Sequence, residues 1–502
     1  MSWQILLQSF FVLCACTGCY FNRAAIDPYS YACFTPPCRE LNSCILEQYP
    51  ADLVEKKEPY ALAELIAIAL KNNPQTKSSW AKALSAAASY GQKQNVFFPN
   101  ITGSFQAIRA RQPEIEATSI ITPQSIFGVT QSPGALQSGR GANDIYFGTW
   151  GPMLSLSYLL FDFGTQKANT EAARYSLEQA QFQYNDRVQS LLKTVITDFY
   201  SYLYQKELLQ ANIANVLNAE LTLDATEQGL HSGVRPLSDF LQAKTQLLSQ
   251  KTNWAAQKQE LELAFATLLN DIGLPSYMSL KTQELPQELP KNDLILPLET
   301  LISIGIQNRA DLLSAESALR SQEQMVKMTK RQVLPQLNYQ FEIGKTYFSF
   351  DGNVTHDKYN FVSTFNVSIP IFSGFYYCNA IKQAESNVIV AEETLKSLQL
   401  NAMKEITVAH SNIHTVFETL NWAAEFLSAA EEQYTVALNG YQQGTQTILD
   451  LISAQTSLVD ARAQKAQAMQ DWYLALANLS YATGLISPTT IYSQEIFANE
   501  LD

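Results

Sequence analysis

Two periodicities alternate along the chain, and each occurs twice. Within 336–343 apolar and polar positions alternate strictly, with Leu337, Tyr339, Phe341 and Ile343 on one side and Gln336, Asn338, Gln340 and Glu342 on the other. Phe361, Phe365, Val367, Ile369 and Ile371 likewise oppose Val362, Thr364, Asn366 and Ser368, and Leu154, Leu156, Tyr158 and Leu160 face away from Ser155 and Ser157. Period two predicts strands with one apolar face. A half-buried soluble sheet shows the same alternation. Strands of roughly ten residues with aromatic ends favour a membrane-facing sheet, as does the lack of a spare amphipathic helix to cover it.

The longer segments have a helical period. From Gly164 to about Gly229, and from Phe375 to about Gly440, the chain runs without an interior proline. Each would reach roughly 100 Å as one continuous helix. The second carries a seam at Ile406, Ala409, Ile413, Val416, Leu420, Ala423, Leu427, Ala430, Tyr434, Ala437 and Tyr441; the first carries Val188, Leu192, Val195, Phe199 and Tyr202. Steps of three and four give the 3.5-residue repeat of coiled-coil packing. Each long helix ends in a Gly-containing turn and returns as a shorter helix, 237–271 and 447–482. Shorter helices precede the strands, at 60–73 and 75–97 (with Pro74 at a helix start) and at 297–309 and 310–333; Pro99 and Pro335 end the second of each pair.

These elements belong to an internal duplication. Residues 62–105 lie on 298–341 at a constant offset, matching Leu62, Leu65, Ile66, Asn72, Pro99 and Phe105 to Leu298, Leu301, Ile302, Asn308, Pro335 and Phe341. Residues 161–274 lie on 372–485, matching Phe161, Gly233, Asp239, Ala243 and Gly273 to Phe372, Gly444, Asp450, Ala454 and Gly484. The offset changes once, through an insertion within 110–145. So long a repeat is a duplicated half-structure rather than a solenoid unit. Two strands per half give four per chain, fewer than the eight or so of the smallest transmembrane barrels, so closure requires further chains.

Composition narrows the class. Charged residues are 16%, the formal net charge is −13 and 46% of residues are apolar. No basic stripe is available for nucleic acid, and the apolar content argues against disorder. Ile5–Leu13 is an apolar segment of signal-peptide length, without Lys or Arg before it. Cys16 and Cys19 follow, each preceded by small residues as in a bacterial lipoprotein processing site; Leu13 favours Cys16, and the Thr17-Gly18 pair keeps Cys19 in play. An ordinary cleaved signal with incidental cysteines is the alternative. Cys33, Cys38 and Cys44 allow one disulfide with a thiol left over, and their pairing is open. The expected organisation is a signal peptide over 1–18, a Pro- and Cys-rich segment over 19–59, repeats over 60–274 and 297–486, a linker over 275–296 and a tail over 487–502.

Enzymatic chemistry finds little support. The one i, i+4 histidine pair, His410 and His414, has no accompanying carboxylate motif, and neither a phosphate loop nor a Gly-x-Ser-x-Gly elbow occurs. No cofactor or metal is expected. An elongated coiled-coil surface lipoprotein, structural or adhesive, would explain the 3.5-residue seam but not the duplicated strands.

The segment Gly440-Tyr441-Gln442-Gln443-Gly444-Thr445-Gln446-Thr447-Ile448-Leu449-Asp450-Leu451 resembles the helix-turn motif of the TolC-type outer-membrane efflux family. Gly229 to Asp239 resembles the matching turn of the first repeat, and Phe161-Asp162-Phe163-Gly164 and Pro370-Ile371-Phe372-Ser373-Gly374 resemble the family's strand-to-helix corners. The resemblance spans about 60–486. It implies a mainly α chain with transmembrane β-strands: a homotrimer with a 12-strand β-barrel in outer-membrane lipid, continued by a 12-helix tunnel. It also implies two partners, a periplasmic adaptor (membrane fusion protein) and an inner-membrane pump, for which the trimer serves as a passive exit duct in efflux or type I secretion. Among pore and gate positions, Asp450 matches one acidic ring, while Ser453 leaves the neighbouring ring incomplete. Asp239 and Tyr441 match a closing contact between hairpins. Gln446, opposite Ser238, stands where the best-known members carry Arg, which implies a weaker latch. Asp239 and Asp450 are also placed to cap helix N-termini.

Overall fold

The computed structural model describes residues 59–112, 145–284, 296–350 and 353–486. Cys16, Cys19, Cys33, Cys38 and Cys44, the segment 113–144, residues 285–295 of the linker and the tail lie outside them. The order of elements is α1 (Leu62–Asn72), α2 (Pro74–Gln94), β1 (Asn100–Gln112), β2 (Ile145–Phe161), α3 (Thr165–His231), α4 (Leu237–Ile272), then α5 (Leu298–Asn308), α6 (Ala310–Arg331), β3 (Gln336–Phe350), β4 (Asn353–Ser368), α7 (Tyr376–Gln442) and α8 (Ile448–Ala482). The second six repeat the first six. Two compact units emerge, one holding Ser85–Leu177 and Ser317–Glu392, the other the described parts of Asp27–Leu84, Glu178–Glu316 and Glu393–Asp502.

In the first unit the four strands form one antiparallel sheet in the order β1-β2-β3-β4. They run 13 to 17 residues, longer than the ten read from the apolar alternation, because pairing continues beyond the apolar stretch. Register puts Ile101 opposite Leu156, Leu156 opposite Phe341, Leu154 opposite Ile343, and Ile343 opposite Phe361. Directly paired residues share a face, so one face is mainly apolar on all four strands, with Ser363, opposite Phe341, a polar position on it. Thr102, Ser155, Glu342 and Val362 lie opposite one another in turn on the other, mainly polar face. Trp150 stacks on Tyr347 toward one end of the apolar face and Tyr339 packs on Phe365 toward the other. Phe105, Phe361 and Phe365 on it are each about 70% exposed.

The strand-to-helix corners use the same backbone with different residues. Phe163 and Gly164, and their counterparts Gly374 and Phe375, all have positive φ. Each corner therefore holds one phenylalanine in the left-handed region, which bulky side chains rarely adopt. At the first, Asp162 accepts from the Gly164 and Gln166 amides (2.9 and 2.6 Å), and Arg331 donates to the Gly164 carbonyl (3.0 Å).

In the helical unit the seams are buried as their period requires. Ile406, Ile413 and Leu420 of α7 are fully buried, and Ala409, Ala423, Ala430, Ala437 and Tyr441 continue the stripe, with α8 packed along it. Leu192, Val195 and Phe199 of α3 join Leu65 and Ile66 of α1 and Leu268, Leu269 and Ile272 of α4 in the largest core cluster. Small residues let the helices approach closely. In this core the repeats differ by a compensated exchange: Ala69 and Val195 in the first half match Gly305 and Ile406 in the second. A Cβ on Gly305 would fall inside van der Waals contact with Ile406 Cδ1. One methyl group has moved across the contact at constant volume.

The same region of α3 holds an ionisable pair. Asp198 lies within hydrogen-bonding reach of Asp271, and burial together with that neighbour pushes its carboxyl up to about 7. A carboxyl with a raised native pKa holds its proton more tightly when folded. Its contribution to stability is therefore complete below the unfolded pKa of roughly 4 and is lost as pH rises toward 7.

Two outcomes follow for the core. Gly305→Ala should destabilise by about 1–3 kcal/mol, and Ile406→Val should recover most of that loss in the double variant, as read by denaturant unfolding. Independent effects that merely add would mean the two sites do not share the contact. Asp198→Asn should melt higher than the parent at pH 8 and show a smaller difference between pH 5 and pH 8; an unchanged pH dependence would remove Asp198 as its source.

Candidate functional site

The two helical turns, Gly229–Asp239 and Gly440–Asp450, have the same hydrogen-bond frame. In the first, the amides of Val234 and Arg235 both donate to the Gly229 carbonyl at 3.0 Å; in the second, those of Thr445 and Gln446 donate to the Gly440 carbonyl at 2.9 and 3.2 Å. Gly233 and Gly444 supply the left-handed residue that reverses each chain. Arg235 is thus the counterpart of Gln446, and the stems of both side chains fold back over a glycine. A Cβ on Gly229 would meet Arg235 Cγ at 2.6 Å, and one on Gly440 would meet Gln446 Cδ at 2.9 Å.

Their heads differ. Arg235 reaches from the first turn to the second, where Nη2 donates to the Tyr441 carbonyl at 2.6 Å and the guanidinium stacks over the Tyr441 ring at 4.1 Å. That carbonyl also accepts from the Gly444 amide within its own turn, at 3.1 Å. A charge-assisted bond and a cation–π contact therefore converge on one residue. Gln446 has no such reach: its Oε1 is shielded from solvent and has no hydrogen-bond partner among the described residues. Ser238 turns toward its neighbour, with Oγ 3.4 Å from Asp239 Oδ1.

Tyr441 is almost fully buried, and its hydroxyl also has no hydrogen-bond partner among the described residues. Burial raises its pKa; the Arg235 charge opposes this and the Asp239 carboxylate adds to it. Asp239 therefore stands near the ring without bonding to the hydroxyl. Asp450 closes a capping box: its amide donates to Thr447 Oγ1 at 3.3 Å, and its Oδ2 accepts from the Thr447 amide at 2.9 Å and hydroxyl at 2.7 Å. Those bonds hold its carboxyl below the usual carboxylate range. In the first repeat Pro236 takes the place of Thr447, so Asp239 lacks this cap. Ser453, one turn beyond Asp450, is exposed.

Arg235 is the residue that the motif comparison misses. The arginine stands in the first turn rather than the second, and the repeat offset that pairs Gly233 with Gly444 also pairs Arg235 with Gln446. His410 and His414 pack edge to face at 4.9 Å, and no group of three or more His, Cys, Asp or Glu among the described residues could hold a metal ion.

Comparisons with known proteins agree with this architecture. The chain is 24% identical over 384 residues to outer membrane protein TolC of Salmonella enteritidis, covering 74% of this chain and 76% of that protein. It is 23% identical over 394 residues to the pyoverdine export outer membrane protein OpmQ of Pseudomonas putida, covering 75% and 82%. The Campylobacter jejuni CmeC outer membrane channel superposes with a TM-score of 0.71 at 17% identity, covering 88% of this chain and 93% of that one. The open state of the Neisseria gonorrhoeae MtrE outer membrane channel gives 0.69 at 19% identity, covering 84% and 88%. The model of the outer membrane efflux protein family matches residues 65–274 and 301–485, one stretch in each repeat, and the chain belongs to that family.

Proposed function

We propose that three copies of this chain form an outer-membrane channel whose twelve strands close a β-barrel and whose helices continue it as a periplasmic tunnel. The observation that carries this reading is the sheet. It presents one mainly apolar face on all four strands, and β1 and β4 are its outer strands. In a bilayer no water satisfies an open edge, so β1 of one copy pairs with β4 of the next until the ring closes. The channel is a passive exit duct for an inner-membrane pump, joined to it by a periplasmic adaptor. Cys16 or Cys19 carries the lipid anchor.

The turn residues gate the inner end. Asp450, with its carboxyl ionised and exposed, forms a threefold ring that favours cations; Ser453 contributes a neutral ring beside it. Asp239, Ser238 and Gln446 line the same end. Tyr441, clamped by Arg235, ties the two hairpins of one copy together, and release of this clamp accompanies opening.

Planar-bilayer recording of the purified protein tests the reading. Discrete conductance steps and an oligomer that survives mild heating in detergent are expected; a monomer without conductance would instead favour the structural surface protein. Arg235→Ala should raise mean conductance several-fold and Arg235→Lys should give an intermediate value, because lysine keeps the charge and loses the planar stacking. Equal conductance in all three proteins would remove the clamp from gating. In the same recordings Asp450→Asn should shift the reversal potential toward lower cation selectivity, and an unchanged potential would place Asp450 away from the constriction.

A further inference from the structure

The α1–α2 and α5–α6 junctions share a backbone and differ in what fills it. In the second repeat Arg309 is buried. Its Nε and Nη2 make parallel bonds to Asp311 (3.0 and 2.8 Å), while Nη1 donates to Glu405 (2.7 Å) and to the Ala482 carbonyl (3.3 Å). Gly484, at positive φ, packs on the backbone of Asn308 and Arg309. In the first repeat Asn73 takes the place of Arg309. Its Nδ2 donates at 2.8 Å to the Asp271 carbonyl, the counterpart of the Ala482 carbonyl, and Gly273 packs on Asn72 and Asn73. The frame and the donor–carbonyl bond are kept, but the guanidinium is gone. The phenol of Tyr481 is gone as well, since its counterpart is Asn270. A cavity of about 430 Å³ lies here, bordered by Asn73, Gln75, Thr194, Asn270, Asp271 and, on α3, Arg187.

The charges are rearranged along with the volume. The second repeat surrounds its own cation with Asp311 and Glu405. The first replaces both by the neutral Gln75 and Thr194, and carries carboxylates where the second has alanine: Asp271 for Ala482, and Asp198 behind it for Ala409. Asp198 Oδ2 is shielded from solvent and has no hydrogen-bond partner among the described residues. The one cation bordering the cavity is Arg187; its chain neighbour Asp186 does not border it, and the Asp186 carboxyl is raised by burial and by Asp311 of the second-repeat cluster and lowered by Arg309 and then Arg187. The cavity is thus bordered by one carboxylate, Asp271, with Asp198 behind it, and by one cation, Arg187, and it lies where the second repeat holds an arginine head and a phenol.

We propose that the first-repeat cavity binds an alkylguanidinium cation, with the Asp271 carboxylate as counter-charge and the side-chain oxygens of Gln75 and Thr194 as further acceptors. The template is the chain's own Arg309, bound in the same frame one repeat later. A planar fork suits a carboxylate flanked by neutral acceptors better than a compact ammonium does. A bound cation favours the ionised form of the Asp198 carboxyl behind Asp271, which burial and Asp271 otherwise raise, so binding is tighter at pH 8 than at pH 6; Arg187 is the other charged group bordering the cavity. A free solute and an arginine side chain of a protein partner carry the same chemistry.

Ethylguanidinium, titrated into the purified full chain in detergent, should raise its melting temperature at millimolar concentration, and ethylammonium should do so much less. Asp271→Asn should weaken the effect at least tenfold. Asn73→Arg should abolish it, because the site then holds its own guanidinium, although the variant also loses the Asn73 cap on the Gln75 and Thr76 amides; this variant decides the matter even if Asp271→Asn folds poorly. Arg187→Ala should leave binding intact or tighten it. No shift with ethylguanidinium, a shift that persists in Asn73→Arg, or phosphate binding that disappears in Arg187→Ala would overturn the proposal. If Asn73→Arg also dissociates the oligomer or loses a co-purifying protein, the natural guest is an arginine of that partner. If both are retained, it is a free solute.

Discussion

Backbone hydrogen bonding at the sheet's edges is the constraint on which the rest depends. Four strands satisfy one another inside the sheet and leave the outer sides of β1 and β4 to be paired elsewhere. In water such edges invite aggregation; in lipid they are costlier still, because nothing else can bond to them. The register places mainly apolar side chains on one face of all four strands. An interface between unlike edges generates a ring only if its rotation closes. The duplication builds the sheet economically, since each half supplies one hairpin and one pair of coiled helices in the same order.

Inside the helical unit the same duplication has been edited rather than preserved. The turns keep their carbonyl acceptors at Gly229 and Gly440, yet one presents a guanidinium and the other a carboxamide. The junctions keep their packed glycines, yet one buries an arginine among carboxylates and the other pairs two carboxylates beside a cavity. Backbone frames held by main-chain bonds tolerate side-chain divergence, because those bonds do not depend on which side chain stands there. Divergence therefore accumulates at polar positions lining the frames.

Much of the fold is legible in the chain. The apolar alternation marks the strand cores, and the three-four seam names the residues that α7 buries, from Ile406 to Tyr441. Pro74 begins α2, the prolines at 99 and 335 separate helices from strands, and the turn glycines end the long helices. Strand length is less legible: pairing extends past the apolar stretch into Thr, Ser, Gly and charged residues that carry no alternation signal. The Phe163 and Phe375 conformations have no local cue, since propensity argues against a left-handed phenylalanine and tertiary structure imposes it. At the candidate site, Asp450 in its first-turn capping position is readable from Thr447-x-x-Asp450. The Arg235–Tyr441 clamp is not, because it joins residues 206 positions apart and only the fold brings them together.

The exchange of Ala69 and Val195 for Gly305 and Ile406 also bears on the order in which the two halves diverged. An isoleucine facing the alanine would overpack the contact, and so would an alanine facing the isoleucine. A glycine facing the valine leaves only a small void, which a folded chain tolerates at modest cost. Whichever pair was ancestral, the path therefore runs through glycine and valine: space was emptied before it was filled. Once both steps were complete, only the step that empties space could be reversed first, so each half keeps its own solution of one packing problem unless it passes back through the same void.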